Sequence, residues 1–151
     1  MPTFRFHREL TLPLPRSAVF GFFSRAENLE RITPPWLGFQ ILTPGPIELK
    51  QGARIAYALR LHGLPLRWLT EIAEWNPPQS FVDVQLRGPY RVWRHTHSFE
   101  EVPGGTRMTD DVEWALPFGW LGALARPLVE RDIRKNFGYR TQAVQSALIG
   151  S

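Results

Sequence analysis

The stretch Gly88–Glu100, GPYRVWRHTHSFE, carries the residues best suited to chemistry. Trp93, His95, His97 and Phe99 recur at every second position. That is the period of a β-strand, so one face presents two imidazoles between two large aromatic rings. Arg94, Thr96, Ser98 and Glu100 take the opposite face, the one expected in water. Two such imidazoles stand roughly 6.5–7 Å apart at their Cα atoms, close enough to ligate one metal, the alternative being cavity-lining or core histidines each hydrogen-bonded to a neighbour. A zinc-type site needs a third ligand. Only His95 and His97 have ligand spacing, so neither a metal nor any other cofactor is expected.

The flanking turns assign neighbours to the histidines. If VPGG (102–105) centres a hairpin between 103 and 104, Phe99 faces Met108, His97 faces Asp110 and Trp93 faces Trp114. If Gly88-Pro89 centres the preceding hairpin, His95 faces Asp83 and Trp93 faces Gln85. Two His–Asp pairs, His95–Asp83 and His97–Asp110, then share the inner face, with Thr70 and Gln85 nearby. A carboxylate beside an imidazole raises its affinity for a proton and fixes its tautomer. Such a pair can shuttle a proton in an aldol cyclisation, a dehydration or a hydrolysis. It can also anchor the polar head of an amphiphile, or simply fix sheet register. His95, His97 and Asp110 are the acid–base candidates if the chain is an enzyme. No cysteine, G-x-S-x-G, H-E-x-x-H or phosphate-cradling glycine loop is present, which favours binding over catalysis.

The elements that position these residues follow from periodicity. TFRFHRELTL (3–12) alternates as a first strand. Pro15 then fits the start of a short helix with Val19, Phe20, Phe22 and Phe23 on its buried face, and ENLERI (27–32) reads as a second, stopped by Pro34-Pro35. Short strands follow at 39–42, 53–61, 66–75, 81–87, around the histidines, and at 106–116. Gly/Pro turns separate them, as in an antiparallel meander. Val129, Ile133, Phe137, Val144 and Leu148 then recur at helical spacing, predicting one helix over about 128–148 introduced by Pro127. PFGWLGALA (117–125) reads as a hinge or short preceding helix. A lid or a membrane-touching role for it is weighed against an ordinary buried turn, and the buried turn is preferred.

Arg140 falls within the apolar stripe, where a charge needs a partner: Asp110, Glu113, or a carboxylate on a ligand. Tyr57, Trp68, Trp93, Phe99 and Trp114 are core residues by default. Their mixture with Thr70, His95, His97 and Asp110 on one presumed face points instead to a cavity with polar points, since a purely structural core carries few such groups.

At 151 residues with no cysteine, disulfides and thiolate metal sites are excluded, and a single domain is expected. No apolar run reaches the ~18–20 residues of a membrane span, and the N-terminus lacks a signal-peptide core, so a cytoplasmic protein is the default reading. The net charge of +4 comes from scattered arginines. RDIRK (131–135) reads as a solvated helix face, so no nucleic-acid partner is expected. Nothing in the sequence specifies an oligomeric state.

Several motifs, in this order along the whole chain, carry a resemblance. They are VFGFF, ITPPWLGF, W-x-T-x-I (68–72), FVD (81–83), GPY-x-x-W-x-H-x-H-x-F (88–99), GGT-x-M-x-D-x-V (104–112), LPFGWLG (116–122) and F-x-YR (137–140). Together they resemble the SRPBCC superfamily of START-type lipid-transfer domains, polyketide cyclase/dehydrase-like proteins and birch-pollen-allergen-like proteins. The resemblance implies an α+β helix-grip fold: a curved antiparallel sheet of six to seven strands around a long C-terminal helix, with two short helices after the first strand. It also implies a deep cavity for an apolar ligand. The expected function is therefore binding or transport of a small hydrophobic molecule, with membrane contact as a further possibility. Tyr57, Trp68, Thr70, Asp83, Trp93, His95, His97, Phe99, Asp110, Trp114, Phe137 and Arg140 are the expected ligand-binding residues. A cofactor-independent cyclase or dehydratase and an accessory interaction domain are the alternatives.

Overall fold

Alternation of exposed and buried positions over FRFHRELTL gives strand β1 (Phe4–Leu12), with Phe4, Phe6, Leu10 and Leu12 turned inward. In the computed structural model, which describes residues 3–150 apart from the side chains of residues 120 and 121, Pro15 caps helix α1 (Arg16–Phe23). Helix α2 (Asn28–Ile32) follows and ends at Thr33, and a short 3-10 turn spans Pro35–Leu37. Six strands come next: β2 (Gln40–Ile41), β3 (Arg54–Leu61), β4 (Leu64–Asn76), β5 (Ser80–Arg87), β6 (Val92–Val102) and β7 (Gly105–Ala115). Helix α3 (Gly119–Ile149) completes the chain. All seven strands form one antiparallel sheet in the order β1-β7-β6-β5-β4-β3-β2, the helix-grip arrangement expected from the sequence. Among the described residues no helix is long and apolar enough to cross a membrane.

Helix α3 departs from expectation at its beginning. It starts at Gly119 rather than near 128, and Pro127 lies inside it. A proline there removes one donor, and the carbonyl left without it belongs to Ala123, which is exposed and can be hydrated. The segment 117–125 is thus neither a hinge nor a buried turn; most of it is the first turns of α3, and Phe118 and Leu124 are 80% and 71% exposed. Gly122 lets the helix press against the chain leading into it. A Cβ at that position would lie 2.2 Å from the Pro117 carbonyl oxygen.

Further along, the apolar stripe behaves as its spacing requires. Ile133, Phe137 and Val144 are buried, with Val129 and Leu148 half-buried at either end. Phe137 meets Phe6 of β1, their ring centres 4.8 Å apart. The Arg126 guanidinium lies 3.8 Å over the ring of Phe4. Two apolar clusters result. One gathers Phe20, Phe23, Phe81, Phe99 and Met108 under α1, and the other gathers Val112, Trp114, Ile133 and Phe137 under α3. The histidine-bearing stretch of β6 runs between them.

Truncating Phe137 to Ala should cost about 3–5 kcal/mol, the usual range for a buried phenylalanine. Urea unfolding of the variant measures this, and a loss below about 1 kcal/mol would contradict the packing of α3 on β1 and β6.

Candidate functional site

The backbone registers around the histidines are those that the turns imply. Along β6 and β7, Trp93 pairs with Trp114, His97 with Asp110 and Phe99 with Met108. Across β5 and β6, Asp83 pairs with His95. Trp93 does not face Gln85, because this ladder ends at the pair Val84–Arg94. Gln85 instead turns back onto the Gly88-Pro89 turn, donating to the Tyr90 carbonyl at 2.6 Å and accepting from the Tyr90 N–H at 3.0 Å. A Cβ on residue 88 would lie 2.6 Å from the side-chain Oε1 of Gln85, so glycine leaves room for this doubly hydrogen-bonded amide.

The hydrogen bonds run diagonally across these registers, so the expected pairing is corrected. His95 Nε2 meets Asp110 Oδ1 at 2.7 Å, and His97 Nε2 meets Asp83 Oδ2 at 2.6 Å. The side chain directly opposite His97 on β5 is Phe81, and the two rings stack with centres 4.1 Å apart. His95 stacks on the far face of this arrangement, 3.6 Å from His97. Once the imidazoles stack, each reaches the carboxylate on the diagonal, a separation that long side chains span easily. The remaining nitrogens point across: His95 Nδ1 lies 3.9 Å from Asp83 Oδ2, and His97 Nδ1 lies 3.6 Å from Asp110 Oδ1. The result is a box, with two stacked imidazoles between two carboxylates. Phe137 closes it edge-on against His95 at 5.5 Å.

Arg140 reaches this box from α3, settling which of its expected partners it takes among protein groups. Its Nη2 lies 3.4 Å from both Asp110 Oδ1 and His97 Nδ1. Burial works against ionisation of Asp110, yet Arg140 and the hydrogen bond to His95 outweigh it and hold the carboxyl far below the usual carboxylate range. Asp83 is likewise lowered: burial opposes, while the hydrogen bond to His97 and the facing His95 and Arg140 prevail. Both aspartates are therefore acceptors, which places a proton on Nε2 of each histidine. Burial pushes His97 down to about 4, helped by neighbouring His95 and Arg140 against the pull of Asp83, so its ring is neutral and its Nδ1 can accept from Arg140. Burial and the charge of Asp83 raise Tyr57, keeping its hydroxyl a neutral donor or acceptor.

A cavity of about 210 Å³ opens on one side of the box. Of the expected ligand-binding residues, Tyr57, Trp68, Thr70, Asp83, Trp93, His95, His97, Phe137 and Arg140 line it. Three do not. Phe99 packs against Phe20 and Phe23 in the core under α1, Trp114 packs against Phe4, and Asp110 stands behind the histidines with Arg140. The walls that sequence reasoning missed come from β3, where Leu59 and Leu61 share the face of Tyr57, and from Leu29, Ile32, Pro34, Leu37 and Phe39 around α2 and the 3-10 turn. The β3 pair was readable from simple alternation. The irregular segment 33–39 carries no periodic signal at all. Thr70, opposite Gln85 in register, accepts from the indole N–H of Trp68 at 3.0 Å, so its hydroxyl holds that ring against the cavity.

Neutralising Asp110 by replacement with Asn should cost about 3–5 kcal/mol, because Arg140 is left as a buried charge without its counter-ion. The same change at Asp111, whose partner His7 is exposed, should cost no more than about 0.5 kcal/mol. Chemical denaturation of the two variants side by side measures the difference.

With this geometry in place, comparison with known proteins adds the following. No curated protein matches the chain. Among solved structures, the Zhui aromatase/cyclase from Streptomyces sp. R1128 superposes with a TM-score of 0.74 at 17% identity, over 97% of this chain and 94% of that one. Ara h 8.0201 does so with a TM-score of 0.69 at 13% identity, over 99% and 100%. Protein TTHA0849 from Thermus thermophilus gives 0.67 at 22% identity, over 98% and 97%. At these identities the likeness is one of fold. The family described as polyketide cyclase/dehydrase and lipid transport matches residues 12–137. The chain belongs to that SRPBCC-type family.

Proposed function

We propose that the protein binds a small, largely hydrophobic molecule in the cavity between α3 and the sheet. The observation that carries this reading is the make-up of the cavity wall. Aromatic and aliphatic side chains dominate it, and a few convergent polar groups, Thr70, Asp83, His95, His97 and Arg140, gather on one side. The apolar part of a ligand gains on the order of 25 cal/mol per Å² buried, before the costs of binding are subtracted. The polar groups select the head. Of the expected ligand-binding residues, Trp68, Trp93 and Phe137 then supply affinity, and Tyr57, Thr70, Asp83, His95, His97 and Arg140 supply selectivity. Asp110 supports them from behind, and Phe99 and Trp114 hold the strand that carries the histidines.

A second reading is favoured by one feature, the pair of imidazoles each held by an ionised aspartate on a cavity wall. His95, whose Nε2–H goes to Asp110, keeps its Nδ1 lone pair for taking a proton from a carbon acid and returning it. This supports a cyclase- or dehydratase-type activity on the same class of ligand, and the family description includes both such enzymes and lipid carriers. A carrier retains its ligand unchanged, whereas an enzyme releases a product.

Displacement of a polarity-sensitive dye by fatty acids, quinones and aromatic polyketide-like compounds tests the primary reading. At least one class should displace it saturably. His97→Phe should alter the ranking of these classes more than it alters affinity for a purely apolar probe. If no compound binds saturably, the carrier reading fails.

A further inference from the structure

The sequence denies a metal site for want of a third ligand, and the fold supplies one. Asp83 Oδ2, a nitrogen of His95 and a nitrogen of His97 lie within 4.8 Å of one another, on the side of the box that lines the cavity. We infer that Asp83, His95 and His97 form a binding site for a borderline divalent metal such as zinc, held through Asp83 Oδ2, His95 Nδ1 and His97 Nε2. The inference is independent of whether the cavity takes a hydrophobic ligand.

Three features point the same way. The first is the ligand set. Two imidazoles and one carboxylate suit zinc and its first-row neighbours rather than magnesium or calcium, which demand more oxygen. The second is spacing. Asp83 Oδ2 lies 2.6 Å from His97 Nε2 and 3.9 Å from His95 Nδ1, two separations that bracket the about 3.0–3.5 Å between ligands bound at 2.0–2.1 Å. The third is the support behind the ligands. A metal-bound histidine normally donates its other N–H to a carboxylate, and Asp110 already accepts from His95 Nε2 at 2.7 Å. Arg140 in turn braces Asp110 at 3.4 Å.

Binding changes the box in a defined way. His95 already has its proton on Nε2, which leaves Nδ1 free as a ligand. On His97 the proton moves from Nε2 to Nδ1, where Asp110 Oδ1 stands 3.6 Å away to accept it and the Arg140 contact at 3.4 Å gives way, so no proton need leave the site. The stacked rings must splay so that both lone pairs converge on one point. With three protein ligands, a fourth position remains open toward the cavity, as in catalytic rather than structural zinc sites.

The test uses the whole chain, stripped with a chelator and titrated with zinc alone by calorimetry, and with cobalt followed by its visible absorption. One ion per chain should bind. Asp83→Asn and His95→Gln should each weaken binding by at least about tenfold, a loss that even supporting residues can produce. His7→Gln, at the exposed His7–Asp111 pair, should leave it unchanged. Should either site variant fail to fold by circular dichroism, the histidine side-chain nitrogen shifts of the unaltered protein decide. Zinc should move His95 Nδ1 and His97 Nε2 to metal-bound values. Absence of one-to-one binding, a site that survives in folded Asp83→Asn and His95→Gln, loss of binding in His7→Gln, or unshifted His95 and His97 would overturn the inference.

Discussion

A buried carboxylate, Asp110, and a half-buried one, Asp83, constrain everything around them. Asp83 and Asp110 sit on strands either side of β6, and an ionised group in such a place is tolerated only if it is fully paired and hydrogen-bonded. His95, His97 and Arg140 satisfy them, and to do so three strands and a helix must be in register at once. A slip of one residue between β5 and β6, or between β6 and β7, would turn the partners to opposite faces and leave a bare charge inside. The box therefore specifies the arrangement of the sheet more sharply than apolar burial does, since hydrophobic contacts tolerate many packings of similar volume. Apolar packing supplies the bulk of the stabilisation, in a cluster on each side of the box.

The same constraint explains why the interior contains a space. Had the gap between α3 and the outer strands β3 and β4 been filled by side chains, Asp83 and the histidines would face only protein. Instead Leu59, Leu61 and Trp68 stand back from α3, while Trp36 of the 3-10 turn closes against it by donating to Asn136 at 3.0 Å, leaving the polar groups on the wall of a hollow. Trp68 is pinned by Thr70, and Gln85 is pinned by the Tyr90 backbone, so the wall is held by hydrogen bonds as well as by packing. Preorganised polar groups of this kind lose little freedom when a ligand arrives.

Much of this was legible in the residues themselves. The period-2 run WRHTHSF placed both histidines on the inner face, and the VPGG turn fixed the β6–β7 pairing residue by residue. Arg140 announced itself as a charge on an apolar stripe. What failed did so for physical reasons. Register gives neighbours at Cα, whereas hydrogen bonds form where side chains end, and the stacking of His97 on Phe81 swung both imidazoles to the diagonal aspartates. Pro127 looked like a helix start because its missing donor is harmless there, yet it is tolerated mid-helix with Ala123 exposed to water. Phe99 and Trp114 share a face with the histidines but pack into the apolar clusters on either side of the box, Trp114 one strand beyond its cavity-lining partner Trp93, a difference of place that alternation cannot express. The cavity wall from 33 to 39 is irregular backbone without periodicity, so only the whole fold reveals it.

The pairing of β1 with β7 bears on how the chain comes to be folded. The first strand of the sheet finds its partner about a hundred residues later in the chain, from Thr106 opposite Leu12 to Trp114 opposite Phe4. Until β7 has emerged, β1 is an amphipathic segment with unmet backbone groups and no partner in the sheet. The β3–β4, β4–β5 and β6–β7 hairpins, by contrast, can close locally as they are made. Closure of so long a loop is costly in entropy and slows folding. Synthesis thus leaves β1 as the last piece of the sheet to be sealed and the segment most in need of shelter meanwhile.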